Sequence, residues 1–142
     1  DEADVVLLFL NTVFNGNQPA GTNRTLDQMM ATRFPDTNLA FDKEILAKAA
    51  LYRDVSQLVT LVDLNRPAVL TELKGMSGAL VGTFGVSDEA MLDVVFGRHN
   101  PLGKLPFELP SSMAEVEAQL EDVPDDTANP LFPFGWGLSY GE

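Results

Sequence analysis

VVLLFL, residues 5–10, is six apolar residues in a row behind an acidic opening, Asp1-Glu2-Ala3-Asp4. An unbroken apolar run of strand length suits a strand covered on both faces, as in a parallel sheet. QLVTLVDL, residues 57–64, and ALVGTF, residues 79–84, have the same character. Between the first two, Asp42 is placed to cap a helix reaching Asp54, with Ile45, Leu46, Ala49, Ala50 and Tyr52 as its apolar stripe. Between the second and third, Pro67–Leu73 starts a short crossover element that the glycines at 75 and 78 should break. After the third, Ser87 is placed to cap a helix over 88–96, with Ala90, Met91, Val94 and Val95 inward and Gly97 ending it.

The order strand, helix, strand, crossover, strand, helix predicts an α/β fold: a layered α/β/α sandwich around a mostly parallel sheet, in a flavodoxin-like arrangement. Further on, GRHNPLGKLPFELP, residues 97–110, turns at Asn100-Pro101 and Gly103 and then alternates like a strand over Lys104–Leu109. Ser111 or Ser112 is placed to cap a helix over 113–120, and the tail from Asn129 is aromatic and rich in Gly and Pro.

The chain has 142 residues, one domain on length grounds. A chain of this size buries roughly 68–70% of the surface that it exposes when unfolded. Its net charge of −12 repels phosphate backbones and anionic lipid surfaces, which argues against nucleic acid or a membrane as partner. No apolar run approaches the roughly 20 residues that a membrane-spanning helix needs. The acids between Glu115 and Asp126 read as a solvated face and loop, since the alternating ligand spacing of a calcium loop is missing. With no cysteine there are no disulfides, thiolate nucleophiles or cysteine-ligated zinc. The start lacks both methionine and a basic leader region, so the chain is expected to be a piece of a longer protein.

Two features bear on function. In a parallel sheet, ligands meet the loops at the carboxyl ends of the strands. The stretch 11–42 leaves such an end, and so does Gly85-Val86-Ser87-Asp88. The first is some thirty residues of Asn, Gly and Pro punctuation, too long for a casual connection. A short helix over Thr25–Arg33 fits within it, and Asn23-Arg24-Thr25 spells a glycosylation triplet. From Asn11 to Phe41 its only carboxylates are Asp27 and Asp36. His99, the single histidine, is a poor basis for a metal site and sits beside Asn100-Pro101 as a turn residue. There is neither a Gly-x-Ser-x-Gly elbow nor a phosphate-binding glycine loop, and no metal or cofactor is expected.

Three motifs carry a resemblance. Leu131-Phe132-Pro133-Phe134-Gly135-Trp136-Gly137-Leu138-Ser139-Tyr140 resembles the "FPFGYGLSY" segment that closes the C-terminal α/β domain of family 3 glycoside hydrolases, the β-glucosidase family. Val94-Val95-Phe96-Gly97 followed by Asn100-Pro101-Leu102-Gly103-Lys104-Leu105-Pro106-Phe107 resembles its "DVLFGDxNPSGKLPF". Val59–Leu64 with Arg66-Pro67 resembles its "VVVLxSGRPxVL", Asn65 standing near the family's glycine. The resemblance spans roughly residues 4–140.

It implies that residues 1–142 are this C-terminal domain, without the family's first strand and without the catalytic (β/α)₈ barrel, the implied partner, that holds the aspartate nucleophile. It also implies a parent that hydrolyses terminal β-linked sugars with retention, with a carbohydrate as its substrate. If bacterial, that parent would be periplasmic or secreted. Retention places two carboxyl groups about 5–5.5 Å apart. The family's acid/base is a glutamate on the loop that corresponds to 11–42. Here that glutamate is missing, which leaves Asp27 and Asp36 as substitutes, or a domain that only braces the barrel or binds sugar. The family's "PGxEGG" segment is also replaced, by Gly85-Val86-Ser87-Asp88-Glu89-Ala90. Trp136 is a candidate sugar-stacking residue, although the resemblance makes the tail structural.

Overall fold

The computed structural model describes residues 3–12 and 38–141. Asn23, Asp27, Asp36 and the Thr25–Arg33 helix expectation lie outside the described residues. Three strands form one parallel sheet: β1 (Val5–Asn11), β2 (Gln57–Asp63) and β3 (Ala79–Thr83), with β2 in the centre. Asn11, Asp63 and Thr83 stand side by side in the register, so all three strands end on one polar line.

Side chains alternate across a sheet, and the register puts even-numbered residues on a common face. Val6, Leu8, Leu10, Leu58, Val62 and Leu80 join Ala49 and Leu73 there in the main core. Helices α1 (Lys43–Val55) and α2 (Thr71–Met76) cover this face and touch each other. Right-handed crossovers that step the same way across a sheet set their helices on one side. Leu58 and Leu73, at 1% and 0% exposure, each contribute about 1.5–3 kcal/mol by leaving water. Thr60 is also buried on this face, and its hydroxyl is 2.6 Å from Ser77 Oγ.

Helix α3 (Asp88–Val95) follows β3 on the opposite side, where Met91 and Leu92 share a cleft with Phe9 and Leu61. Ser87 caps α3 by accepting the Ala90 N–H at 3.3 Å, and Gly97 takes the positive φ of 72° that ends the turn. The expected α/β fold with a parallel sheet and helices is therefore the observed one. Two apolar stripes need correction: Tyr52 on α1 and Ala90 on α3 lie in solvent, one step outside the buried arc. Gly75 does not break α2 but sits inside it, and the helix stops instead at Ser77.

The expected strand over Lys104–Leu109 is mostly absent. Only β4 (Leu109–Pro110) pairs, antiparallel to β5 (Pro130–Phe132). The preceding residues are held by the C-terminal tail instead. The Leu105 N–H donates to the Trp136 carbonyl at 2.8 Å, and the Gly135 N–H returns a bond to the Leu105 carbonyl at 2.9 Å. Lys104 Nζ donates to the Gly137 carbonyl at 2.5 Å, and Ser139 Oγ to the Pro101 carbonyl at 3.0 Å. Tyr140 donates its N–H to Asn100 Oδ1 at 2.7 Å and its hydroxyl to the Val94 carbonyl. A side chain at position 137 would collide with the Gly103 carbonyl oxygen, so only glycine permits this approach. Two of the quoted motifs are thus each other's binding partners.

Helix α4 (Met113–Ala118) ends before the expected Leu120, and Ser112 caps it by accepting the Glu115 N–H at 3.2 Å. Acids on either side of it bind backbone. Asp126 accepts the Leu120 N–H at 2.8 Å, and buried Glu108 accepts the Thr127 N–H at 2.7 Å.

Candidate functional site

The carboxyl rim of the sheet is where the chemistry-bearing side chains gather. Asp63, at the end of the central strand, bonds to the start of all three connections. Its carbonyl accepts the Thr12 N–H at 3.0 Å and the Thr12 hydroxyl at 3.2 Å. One carboxylate oxygen, Oδ1, accepts from Thr83 Oγ1 at 3.2 Å and from the Gly85 N–H at 2.8 Å. The other, Oδ2, accepts from Asn65 Nδ2 at 3.2 Å. Both oxygens are therefore engaged with donors of the protein itself. This carboxylate organises the rim.

Three residues after Asp63, the chain turns back on itself at Arg66. Its backbone N–H donates to Thr12 Oγ1 at 3.2 Å, and its guanidinium donates from Nη2 to the Asn38 carbonyl at 3.1 Å. Thr12 is buried at 2% exposure, so its hydroxyl needs the partners it has here: Asp63 as acceptor and Arg66 as donor. Thr12 and Asn38 flank residues 13–37. Where the chain returns, Ala40 bridges to Val69 in parallel and the Val69 N–H donates to the Leu39 carbonyl at 2.9 Å. Both flanks of the long asparagine- and glycine-rich stretch are thus fastened to the loop that follows β2.

Beside the rim, between the sheet and α3, lies a half-open cleft of about 440 Å³. Phe9, Leu61 and Met91 supply apolar surface, and Asn11, Asp63, Thr83 and Asp88 supply polar groups. Phe9 is 51% exposed. Among the described residues no group of three or more His, Cys, Asp or Glu side chains is placed to hold a metal ion. Nor is any described helix long and apolar enough to cross a membrane.

Of the residues singled out from the sequence, Asp27 and Asp36 lie outside the described residues. Trp136 does not line the cleft. Its ring stacks on Phe132, with centroids 5.8 Å apart and planes at 29°, and Phe132 in turn receives Lys74 Nζ at 5.0 Å from its centroid. His99 is exposed, and its backbone N–H continues the end of α3 by donating to the Asp93 carbonyl at 3.1 Å. Sequence reasoning passed over Asp63 and Arg66. A usable signal existed for the first: a lone carboxylate closing the apolar run of a central parallel strand. For Arg66 there was only its place in a motif, because its partners lie 54 and 28 positions away.

The sequence matches the family model described as the glycosyl hydrolase family 3 C-terminal domain over residues 1–140. It is 44% identical over 141 residues to the probable beta-glucosidase C of Aspergillus flavus, covering 99% of this chain and 21% of that protein. Identity is 43% to beta-glucosidase C of Emericella nidulans and 37% to the periplasmic beta-glucosidase/beta-xylosidase of Dickeya chrysanthemi, each again over 99% of this chain and 21% of the relative. The structure superposes on the beta-glucosidase of Listeria innocua in complex with isofagomine with a TM-score of 0.70 at 22% identity. That likeness, over 98% of this chain and 21% of the other, is one of fold. The chain therefore spans about a fifth of the length of the relatives that it matches.

Proposed function

Because the chain belongs to the glycosyl hydrolase family 3 C-terminal domains, we propose that it serves a β-glucosidase-like parent by lending the stretch 13–37 to a sugar site shared with a barrel domain. The parent hydrolyses terminal β-linked sugars with retention. The barrel supplies the nucleophile, and this domain supplies part of the surroundings of the leaving group. One observation carries the reading: both flanks of 13–37 are fastened at the carboxyl rim of a parallel sheet, through Thr12, Asp63, Arg66 and Asn38. That rim is where α/β sheets present their ligand-binding loops.

In this reading Asp27 or Asp36 is the proton donor to the glycosidic oxygen, the role that a paired-carboxylate mechanism requires. The purified 142-residue chain, lacking a nucleophile domain, does not hydrolyse an aryl β-glucoside. In the full-length parent, Asp27→Asn and Asp36→Asn are compared on substrates with poor leaving groups. The true donor loses about 10²–10⁴-fold in turnover. Unchanged turnover in both variants removes both residues from the chemistry.

A second reading rests on composition: no glutamate occurs between Asn11 and Phe41. The domain then braces the barrel and shapes the sugar site while the acid comes from elsewhere. Unchanged turnover in both variants, with loss of activity on removal of the whole domain, is the result that favours it.

A further inference from the structure

We propose that the sheet face turned towards α3 is a docking surface, and that its occupant is an apolar helix of the same parent protein, drawn from outside residues 1–142. The surface is built from β1, β2 and α3 and stands independently of what 13–37 contributes to catalysis.

Parallel sheets are found with helices over both faces, because their strands are apolar on both sides. Here the two faces differ. The even-numbered face lies under α1 and α2. Helix α4 starts on that side too, where Thr71 Oγ1 donates to the Ser111 carbonyl at 2.6 Å. Among the described helices only α3 stands over the odd-numbered face. Phe9 of β1 and Leu61 of β2 are partners in the register and share that face. Leu61 is 1% exposed and Phe9 is 51% exposed. Cover is therefore lost across a single strand spacing, about 4.8 Å. Val5, on the same face of β1, is 50% exposed. The half-open cleft of about 440 Å³ between Phe9, Leu61, Met91 and Leu92 is the trough left where the α3 layer stops. A second helix packed about 8–10 Å from α3 would lie over β1. Its apolar stripe would cover Val5 and Phe9.

Length and charge choose the occupant. The chain spans 21% of the relatives that it matches, so most of a parent of that length lies outside it. A tethered segment meets the trough at high effective concentration. A second copy would bring one charge of −12 against another. The charged residues of the cleft are both acidic, Asp63 and Asp88, and both Asp63 oxygens already accept from the protein itself. The helix that fits is apolar along one stripe and carries a Lys or Arg where it meets Asp88 at the rim.

The test uses the full-length parent with Phe9→p-benzoylphenylalanine, an aromatic that bonds to a neighbouring C–H under near-ultraviolet light. The product is digested and the linked peptide is identified by mass spectrometry. The expected result is a link within one chain to a peptide outside 1–142 whose apolar residues recur at i, i+3 and i+4. A link to 13–37, a link between two chains, or no linked peptide, as water or a small ligand over Phe9 would give, overturns the proposal. Phe9→Asp and Phe9→Leu in the same parent provide a second measurement. A covered position loses about 4 °C or more in melting temperature with Asp and clearly less with Leu. An unchanged melting temperature with Asp overturns the proposal as well. If Phe9→Asp prevents folding, the cross-link, made through an aromatic side chain like the native one, decides.

Discussion

Asp63 and Gly85 are joined across the carboxyl rim by a 2.8 Å hydrogen bond from the Gly85 N–H to Asp63 Oδ1. They stand 22 positions apart in the chain, and the bond ties the end of the central strand to the loop that leads into α3. The same oxygen also takes the Thr83 hydroxyl. Each strand end is thereby held relative to its neighbour by a charged acceptor.

Asp63→Ala should lower stability by about 1–3 kcal/mol, since the part-buried Thr83 hydroxyl and the exposed Gly85 N–H lose a charged acceptor together. Asp63→Asn should lose less, because an amide oxygen still accepts from Gly85. Urea denaturation midpoints of the two variants, ranked against the parent sequence, check this. Equal losses would show that the charge and not the acceptor matters.

Gly137 and Gly75 should respond in opposite directions to alanine. At 137 the new methyl meets the Gly103 carbonyl oxygen, with Lys104 Cδ at 2.9 Å, so the tail must lift from 100–107. A loss of about 1–3 kcal/mol follows, as for overpacking elsewhere. At 75, inside α2, nothing lies within 4 Å of the added atom. Alanine there should raise stability by about 0.5–1 kcal/mol through helix propensity. Thermal melts of the two variants give the signs directly.

Ser87→Ala and Ser112→Ala should each lower stability by about 0.5–2 kcal/mol, because each hydroxyl accepts one N–H at the start of a short helix. Replacement by Asp should be nearly neutral at both positions, since Asp also caps. Helical signal and denaturation midpoint together measure the effect.

Trp136→Ala should act on the fold before it acts on sugar. The ring is stacked on Phe132, and the backbone of this residue binds Leu105, so the substitution loosens the tail around Pro101–Phe107. The expected outcome is a lower melting temperature, with KM for an aryl β-glucoside in the parent unchanged. A raised KM at an unchanged melting temperature would instead assign the ring to the substrate.

Local patterns carried a good deal of this. The apolar runs at 5–10, 57–64 and 79–84 became the three parallel strands to within one residue at their ends, although only the central β2 is well covered on both faces and Val5 and Phe9 of β1 stay half exposed. Ser87 was legible as a cap, and Ser112 as one of two neighbouring candidates, because a cap is satisfied three residues away. Alternation over Lys104–Leu109 misled, because period-two patterning describes a side chain's two environments and does not name the partner strand. The tail supplied backbone bonds at Leu105, and only the last residue, Leu109, joined a ladder, together with Pro110.

The sequence by itself determined the parallel α/β plan, the starts of α1, α3 and α4 and, through three motifs in order, the family. Each of these depends on neighbours within a few residues or on the order of short patterns. Tertiary structure alone decided that Asp63 gathers the strand ends, that Arg66 joins Thr12 to Asn38, and that position 137 admits no side chain. Those facts depend on where the sheet brings together residues tens of positions apart. That is set by packing the whole core, and no local propensity encodes it.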